Sequence, residues 1–405
     1  MRKIIALGAL SCTVALAGCS AQSNRNQLFA TEAQGRMDAV KAATQWDMAQ
    51  QQFLAGDLDK ALRTVETSIA IHDRVAKSHL LKGRILLELD ALEPSITALS
   101  DAIEIAPENP EPHYYTGIVH ERLSAPTKAL TSYERASSLD PRNPQYLLAA
   151  AEMEIQLGLL EEATRRLSVA SSSFEHNAGI RQTLGHIAMM QGNTDDAVRH
   201  FEEACLLGPD DPGLLEDLSR AQLTVGDYAG AEYTLRRLLR DSANASDAER
   251  MLARCLIALE RPVEARDLLI KRVNTDAGNS DVESWIDLGG VCLQLGDRFR
   301  QRQAGTRVPA LAPNRIDGYA HPAWGHHIEG RHEDALKVLD RAKSITREVS
   351  DVAILQSLIL RETGESERAL AVLSDAQKTD PQNQMLARLM ADINNDSVIA
   401  DVPVQ

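Results

Sequence analysis

The sequence predicts an all-α chain built as a solenoid of about ten stacked helix pairs, and three columns of recurring residues carry that prediction. Alanine returns at Ala61, Ala129, Ala163, Ala197, Ala231, Ala265, Ala335 and Ala369, at steps of 34 residues or a multiple, with one two-residue slip. Glycine precedes most of these alanines by five residues, at Gly56, Gly158, Gly192, Gly226, Gly330 and Gly364, and also stands at Gly296. Proline closes several units, at Pro107, Pro141, Pro209, Pro313 and Pro381. Unrelated amphipathic helices would not share one phase over so many units, so the period decides the architecture before any local reading.

Numbered from 1 to 34, the units start at Ala42, Ala76, Pro110, Pro144, Ala178, Pro212, Ser246, Val282, Ile316 and Ser350. The seventh unit is two residues longer, in its Thr275–Asp281 loop. Position 8 is small (Ala49, Gly83, Gly117, Ala151, Gly185, Ser219, Ala253, Gly289, Ala323, Ser357), and position 20 is alanine except at Ser95 and Gln301. Small side chains at these two columns let the paired helices approach. Glycine at position 15 suits a left-handed C-cap, and proline at 32 stops the second helix. Larger residues at 7 and 24, such as Leu184 and Phe201, supply the apolar seam at helical spacing. Acids at position 2 (Glu111, Asp247, Glu283, Asp317, Asp351) stand in first turns, where the helix dipole favours them.

This set of columns resembles the tetratricopeptide repeat family over residues 42–383, most clearly in the unit with Leu184, Gly185, Gly192, Ala197, Phe201, Ala204 and Pro209. The resemblance implies a right-handed superhelical solenoid of helix–turn–helix units that holds other proteins or peptide segments in a concave groove. In that family the groove is lined by first-helix positions 2, 5, 9, 12 and 13. Position 12 here reads Phe53, Leu87, Glu121, Ile155, Met189, Leu223, Ile257, Leu293, His327 and Arg361. The apolar members Leu87, Ile155, Met189, Leu223, Ile257 and Leu293 are groove candidates, unless the column packs against the next repeat. Arg220, Arg250 and Arg254 at positions 5 and 9 are candidates for an acidic partner, or else pair with acids such as Glu216.

The ends have their own signals. Residues 1–18 read as a secretory leader, with Arg2 and Lys3 before the apolar run Ile4–Ala17. Leu16-Ala17-Gly18-Cys19 resembles the bacterial lipobox, which implies acylation of Cys19, palmitate among the acyl chains, and cleavage before it. Ser20 in place of Asp implies, by the same resemblance, sorting to the outer membrane, facing the periplasm. Residues 19–30 are expected as a lipidated tether and 31–41 as a helical extension opened by a Thr31–Gln34 capping box. At the far end, 384–393 is expected as a capping helix (Met385, Leu386, Leu389, Met390) and 394–405 as a disordered tail.

The chain carries 43 basic and 58 acidic residues, a formal charge of −15, which argues against nucleic acid as a partner. No phosphate loop, Cys-x-x-Cys, His-Glu-x-x-His or Gly-x-Ser-x-Gly is present, so neither a catalytic residue nor a cofactor is assigned. Beyond Cys19 the cysteines are Cys205, Cys255 and Cys292, read as buried apolar residues or, for the last two, a bridge between neighbouring helices.

Residues 297–325 break the rhythm. Gln301 and Gly305 replace packing residues, and Pro309 and Pro322 fall inside both helices, which should therefore start late or kink. His321, His326, His327 and His332 follow closely, at spacings that do not share a helix face. The segment reads as a drifted repeat, or as a binding surface with Trp324 and His327 facing the groove. The function expected is a non-enzymatic, lipid-anchored interaction scaffold in the bacterial envelope, serving a pilus, secretion or polysaccharide-export complex. The alternative is a metal-binding or enzymatic protein using 321–332.

Overall fold

The computed structural model describes residues 10–241 and 246–400, with side chains over 29–240 and 247–394. Arg2, Lys3, the Cys19 side chain and 401–405 lie outside that description. The described residues form 22 helices and no strand. None of these helices is long and apolar enough to cross a membrane. The chain divides into two units, Met1–Gly192 and Asn193–Gln405.

The first unit holds α1 (Leu10–Leu54), α2 (Leu58–Ile71), α3 (Ala76–Glu88), α4 (Leu92–Ile105), α5 (Pro110–Arg122), α6 (Pro126–Leu139), α7 (Pro144–Gln156), α8 (Leu160–Ser171) and α9 (Ala178–Met190). The second begins with α10 (Thr194–Leu207), α11 (Pro212–Val225), α12 (Tyr228–Asp241), α13 (Ser246–Ala258), α14 (Pro262–Val273), the single turn α15 (Asp276–Asn279) and α16 (Val282–Leu295). It continues with α17 (Arg298–Leu311), α18 (Asp317–Ile328), α19 (His332–Ile345), α20 (Val349–Glu362), α21 (Ser366–Thr379) and α22 (Gln384–Ala400). The repeat starts at Ala76, Pro110, Pro144, Ala178, Pro212, Ser246 and Val282 are first residues of helices, and α18 and α20 differ by one residue. Asn109, Asn143 and Asp211 fix three of these starts, each accepting from the backbone N–H two residues on. The proline that follows each cap fits the first helical position, where no N–H is needed.

Helix α1 begins well before Thr31, so the expected tether, the extension and the first repeat share one helix. Thr31 thus lies inside α1 rather than at its start, and the Gln34 amide donates to the Asp38 carboxylate at 2.9 Å. At the other end α22 reaches Ala400, past the expected stop at 393, and seats Leu386, Leu389 and Ile393 in the core.

Position 20 is the anchor of each pair. All eight alanines of that column have zero exposure, and Ser95 and Gln301 are equally enclosed. The reason is distance: a Cβ on Gly83 would stand 2.6 Å from Leu99 Cγ, and one on Gly117 would stand 2.4 Å from the Tyr133 ring. Within each unit, successive first helices touch one another (α1 with α3, α3 with α5, α7 with α9, α16 with α18), whereas no pair of second helices packs comparably. The row of first helices is thus the inner row of each unit.

Position 15 follows the same logic at the corner. The seven glycines there have φ between 70° and 85°, and Asp90, Ser124 and Glu260, which replace glycine in the other three units, are the non-glycine residues with positive φ among those described. A Cβ in that conformation is strained.

The irregular eighth and ninth repeats keep both helices, α17 starting in register at Arg298 and α18 one residue on, at Asp317. Pro309 lies within α17 and Pro322 within α18, and both helices run through them. The prolines are accommodated reciprocally. Pro322 Cγ would stand 2.4 Å from a Cβ on Gly305, and Pro309 Cδ 2.8 Å from one on Gly318. Each glycine precedes its own helix's proline by four residues, so it is also the residue whose carbonyl that proline ring would crowd. Gln301 adds a bond from its Nε2 to the His321 carbonyl at 2.6 Å, beside Gly325. The substitutions that break the sequence rhythm are matched to one another.

Two results follow for stability. Ser124→Gly and Glu260→Gly should each stabilise the fold by about 0.5–1 kcal/mol, since relief of left-handed strain exceeds the entropic cost of glycine. Gly117→Ala should destabilise it by about 1–3 kcal/mol through overpacking against Tyr133. Urea titration followed by circular dichroism checks both, and a stabilised Gly117→Ala would contradict the helix crossing.

Candidate interaction surface

The inner row exposes first-helix positions 2, 5, 9 and 12, and the two units furnish it differently. In the second unit Arg220, Arg250 and Arg254 are already paired. Arg220 pairs with Glu216 within α11. Arg250 lies 3.6 Å from Asp247 and 3.7 Å from Glu283. Arg254 grips Asp287 through two bonds of 3.1 Å, from Nε and Nη2. Arg315 adds Glu283 at 2.8 Å and Asp317 at 2.9 Å. Burial pushes the Asp287 carboxyl above its ordinary value despite the pull of Arg254. The arginines read from the sequence as receptors for a partner's acid thus hold acids of this chain.

Position 12 is mixed: Leu87 and His327 are buried, Glu121 and Arg361 exposed, and the other six residues half-buried. Leu87 is 3% exposed and faces the core rather than a groove, because its helix α3 is flanked by α4 and α5. Ile155, Met189, Leu223, Ile257 and Leu293 are half-buried, offering an edge rather than a full face. His327 is 7% exposed, so it is not a groove residue either, while Trp324 beside it is half-buried, with ring centroids 5.2 Å apart.

The histidines do not gather at one point. His327 donates from Nε2 to Glu362 at 2.6 Å, and its Nδ1 lies 2.9 Å from Nδ1 of His332, so one proton is shared between the rings. His321 lies elsewhere, against Gly289 and Gly290. Among the described residues no group of three or more His, Cys, Asp or Glu is arranged to hold a metal ion. Cys205, Cys255 and Cys292 are buried free thiols, each pushed up to about 11 by burial. The apolar reading of these cysteines is the one the structure adopts, and a low-pKa reactive thiol is not among them.

The first unit carries a surface that the sequence reading passed over. Lys77, at position 2 of its repeat, holds Nζ 4.0 Å over the Trp46 ring, while Trp46 Nε1 donates to the Lys77 carbonyl at 3.0 Å. Arg84, at position 9, holds its Cζ over both Phe53 and Tyr115, 5.2 and 4.8 Å from their centroids. Tyr114 continues the patch, 5.5 Å from Tyr115 and 5.1 Å from Tyr146, and its hydroxyl accepts from Gln145 at 2.9 Å. Beyond it the surface turns acidic. Tyr133 donates to Glu121 at 2.8 Å, and burial together with the Glu121 charge raises the carboxyl of Glu152. Lys77, Trp46, Tyr114 and Arg84 stand at positions 2, 5, 5 and 9 of the first three repeats, so those columns carry the signal in the sequence. Tyr115, at position 6, has no such column.

Two cavities open elsewhere. One of about 510 Å³ is lined by Leu147, Arg165, Arg166, Val169 and Phe174. Its Arg166 is held by Glu154 and by Glu134, each at 2.6 Å. Another of about 560 Å³ is lined by Asn274, Asn279, Trp285 and Arg307, and there the Asn279 carbonyl accepts from both Trp285 Nε1 and Arg307.

Models of the tetratricopeptide repeat match residues 42–67, 76–109, 188–248 and 222–284. A bovine protein, BBSome complex member BBS4, is 24% identical over 221 residues, covering 55% of this chain and 42% of its own length. The TPR repeat-containing protein YpiA of Bacillus subtilis is 21% identical over 329 residues, covering 81% of this chain and 69% of its own. The chain thus spans less than half the length of the first relative. The solved structure of Pseudomonas aeruginosa pilF superposes with a TM-score of 0.44 at 19% identity, covering 52% of this chain and 96% of that one.

Burial pushes His321 below its ordinary value, with Asp317 and Asp287 pulling weakly the other way. Unfolding frees that imidazole to bind a proton the folded state refuses. The stability tied to its neutral form is therefore complete above about pH 6.5 and is lost as pH falls below it. The urea midpoint should fall between about pH 7.5 and about pH 5.5, and His321→Gln should shrink that fall. An equal fall in the variant would remove His321 from the acid response.

Proposed function

From a chain that belongs to the tetratricopeptide repeat family, we propose a non-enzymatic scaffold that captures a segment of another protein on its inner row of helices. The observation that carries this reading is the surface of Trp46, Phe53, Lys77, Arg84, Tyr114 and Tyr115 in the first unit, half-buried or exposed, with both cations lying over rings. Aromatic and arginine side chains of this kind are the usual energetic anchors of protein interfaces. The inner row of the second unit, with Arg220, Arg250 and Arg254 paired internally, is the less available of the two.

The scaffold is lipid-anchored in this reading, through Cys19 at the end of Leu16-Ala17-Gly18-Cys19. Several acyl chains on one residue would hold it firmly at a membrane. It would sit in the bacterial envelope, facing the periplasm from the outer membrane, and raise the local concentration of components of a pilus, secretion or polysaccharide-export complex.

Photo-crosslinking residues placed at Phe53 and at Tyr115 should trap the same protein, and one placed at Val169, an exposed position on the second helix α8, should not trap it. Trapping from Val169 alone would move the partner off the inner row. Cys19→Ser should leave unprocessed chain that no longer partitions into the detergent phase. Partitioning like the parent would remove the anchor.

A further inference from the structure

We infer that the inner face of the first unit recognises an acidic peptide segment, through Arg84 and Lys77; the inference rests on the inner row being the binding face. The chain as a whole carries a charge of −15, so a free cation on its surface has ample acids available. Elsewhere on the inner row they are used, as in Arg254 with Asp287 and Arg250 with Glu283. Even Lys82, on α3 itself, pairs with Glu66 at 2.9 Å. Lys77 and Arg84 are different: each lies over aromatic rings, and neither has a carboxylate within ion-pair distance.

Stacking decides what such a cation can still do. Two rings lie against the Arg84 guanidinium, its Cζ 5.2 and 4.8 Å from their centroids, and among the described residues no carboxylate takes its N–H edge. That edge matches a carboxylate through two parallel hydrogen bonds. The rings also hold the side chain in place beforehand, so less rotamer freedom is lost on binding. Arg84 is half-buried, and a pair formed there is less screened than one in open water.

Lys77 stands seven residues before Arg84, nearly on the same line of the helix, so the two cations are spaced about 10 Å along the α3 axis. Same-face side chains of an extended segment recur about every 7 Å, so carboxylates two or four residues apart bracket that distance. A segment with two carboxylates so separated would meet both cations and lay apolar atoms on Trp46, Phe53 and Tyr115. Glu121 and Glu152 bound the site on the far side by repelling further acids, which confines the anionic part of the partner to α1, α3 and α5.

The test uses the full-length protein and three fluorescein-labelled peptides of alternating residues: Glu and Ala, Gln and Ala, and Lys and Ala. Fluorescence anisotropy should show the Glu peptide binding at least about tenfold more tightly than the other two, with the preference weakening as salt rises. Arg84→Gln should reduce that preference by about tenfold and Arg84→Gln with Lys77→Gln should abolish it. Arg63→Gln, an exposed arginine on α2, should leave it intact. Circular dichroism melting of each variant verifies folding. A parent that does not discriminate among the peptides, or a double variant that binds like the parent, overturns the inference. So does Arg84-dependent binding to phosphatidylglycerol vesicles, or Arg84-dependent self-association, without peptide binding. If crosslinking at Phe53 and Tyr115 still traps a partner in those cases, the inner-row reading stands and only the acidic specificity fails.

Discussion

Everything in this chain depends on how closely two helices can cross at positions 8 and 20 of each repeat. The enclosed alanines of position 20 and the small residues of position 8 bring the backbones together until even a methyl group would collide at Gly83 or Gly117. That approach sets the angle of the pair, and the pair's angle sets the next pair. Because each repeat buries its apolar face only against its neighbours, each crossing bears first on the pairs beside it. The inner row of first helices is a product of this geometry, and the surface offered to partners follows from it.

The eighth and ninth repeats show how far the constraint can be bent. Two prolines within helices would ordinarily be costly, at about 3 kcal/mol or more each. Here each proline ring occupies the space left by a glycine on the facing helix, and Gln301 fills the column where alanine stands elsewhere. The crossing survives with different residues because the volumes are exchanged across it. Such exchange leaves no single-column signature, since a proline and its glycine lie in different helices.

Much of the fold was legible because the repeat averages out local ambiguity. The start of α5 is marked by Asn109 and Pro110 alone, but its phase is fixed by nine other units. The conformation at position 15 was legible for the same reason: glycine in seven units implies a left-handed corner in the remaining three, where Asp90, Ser124 and Glu260 adopt it. The ends were less legible, since no neighbouring repeat constrains them, and α1 runs upstream through the stretch read as a tether. The interaction surface was only partly legible. Arg254 and Arg84 both occupy position 9, and nothing in the sequence separates the one paired with Asp287 from the one stacked on rings. That difference depends on what neighbouring first helices place beside them.

The central claim is that the inner row of the first unit, shaped by those crossings, is where a partner lies. Hydrogen exchange read by mass spectrometry, with and without a bound partner segment, tests it most directly. The account requires added protection over α1, α3 and α5, with α2, α4 and α6 unchanged. Added protection confined to α2, α4 and α6 would place the partner on the outer row and contradict it.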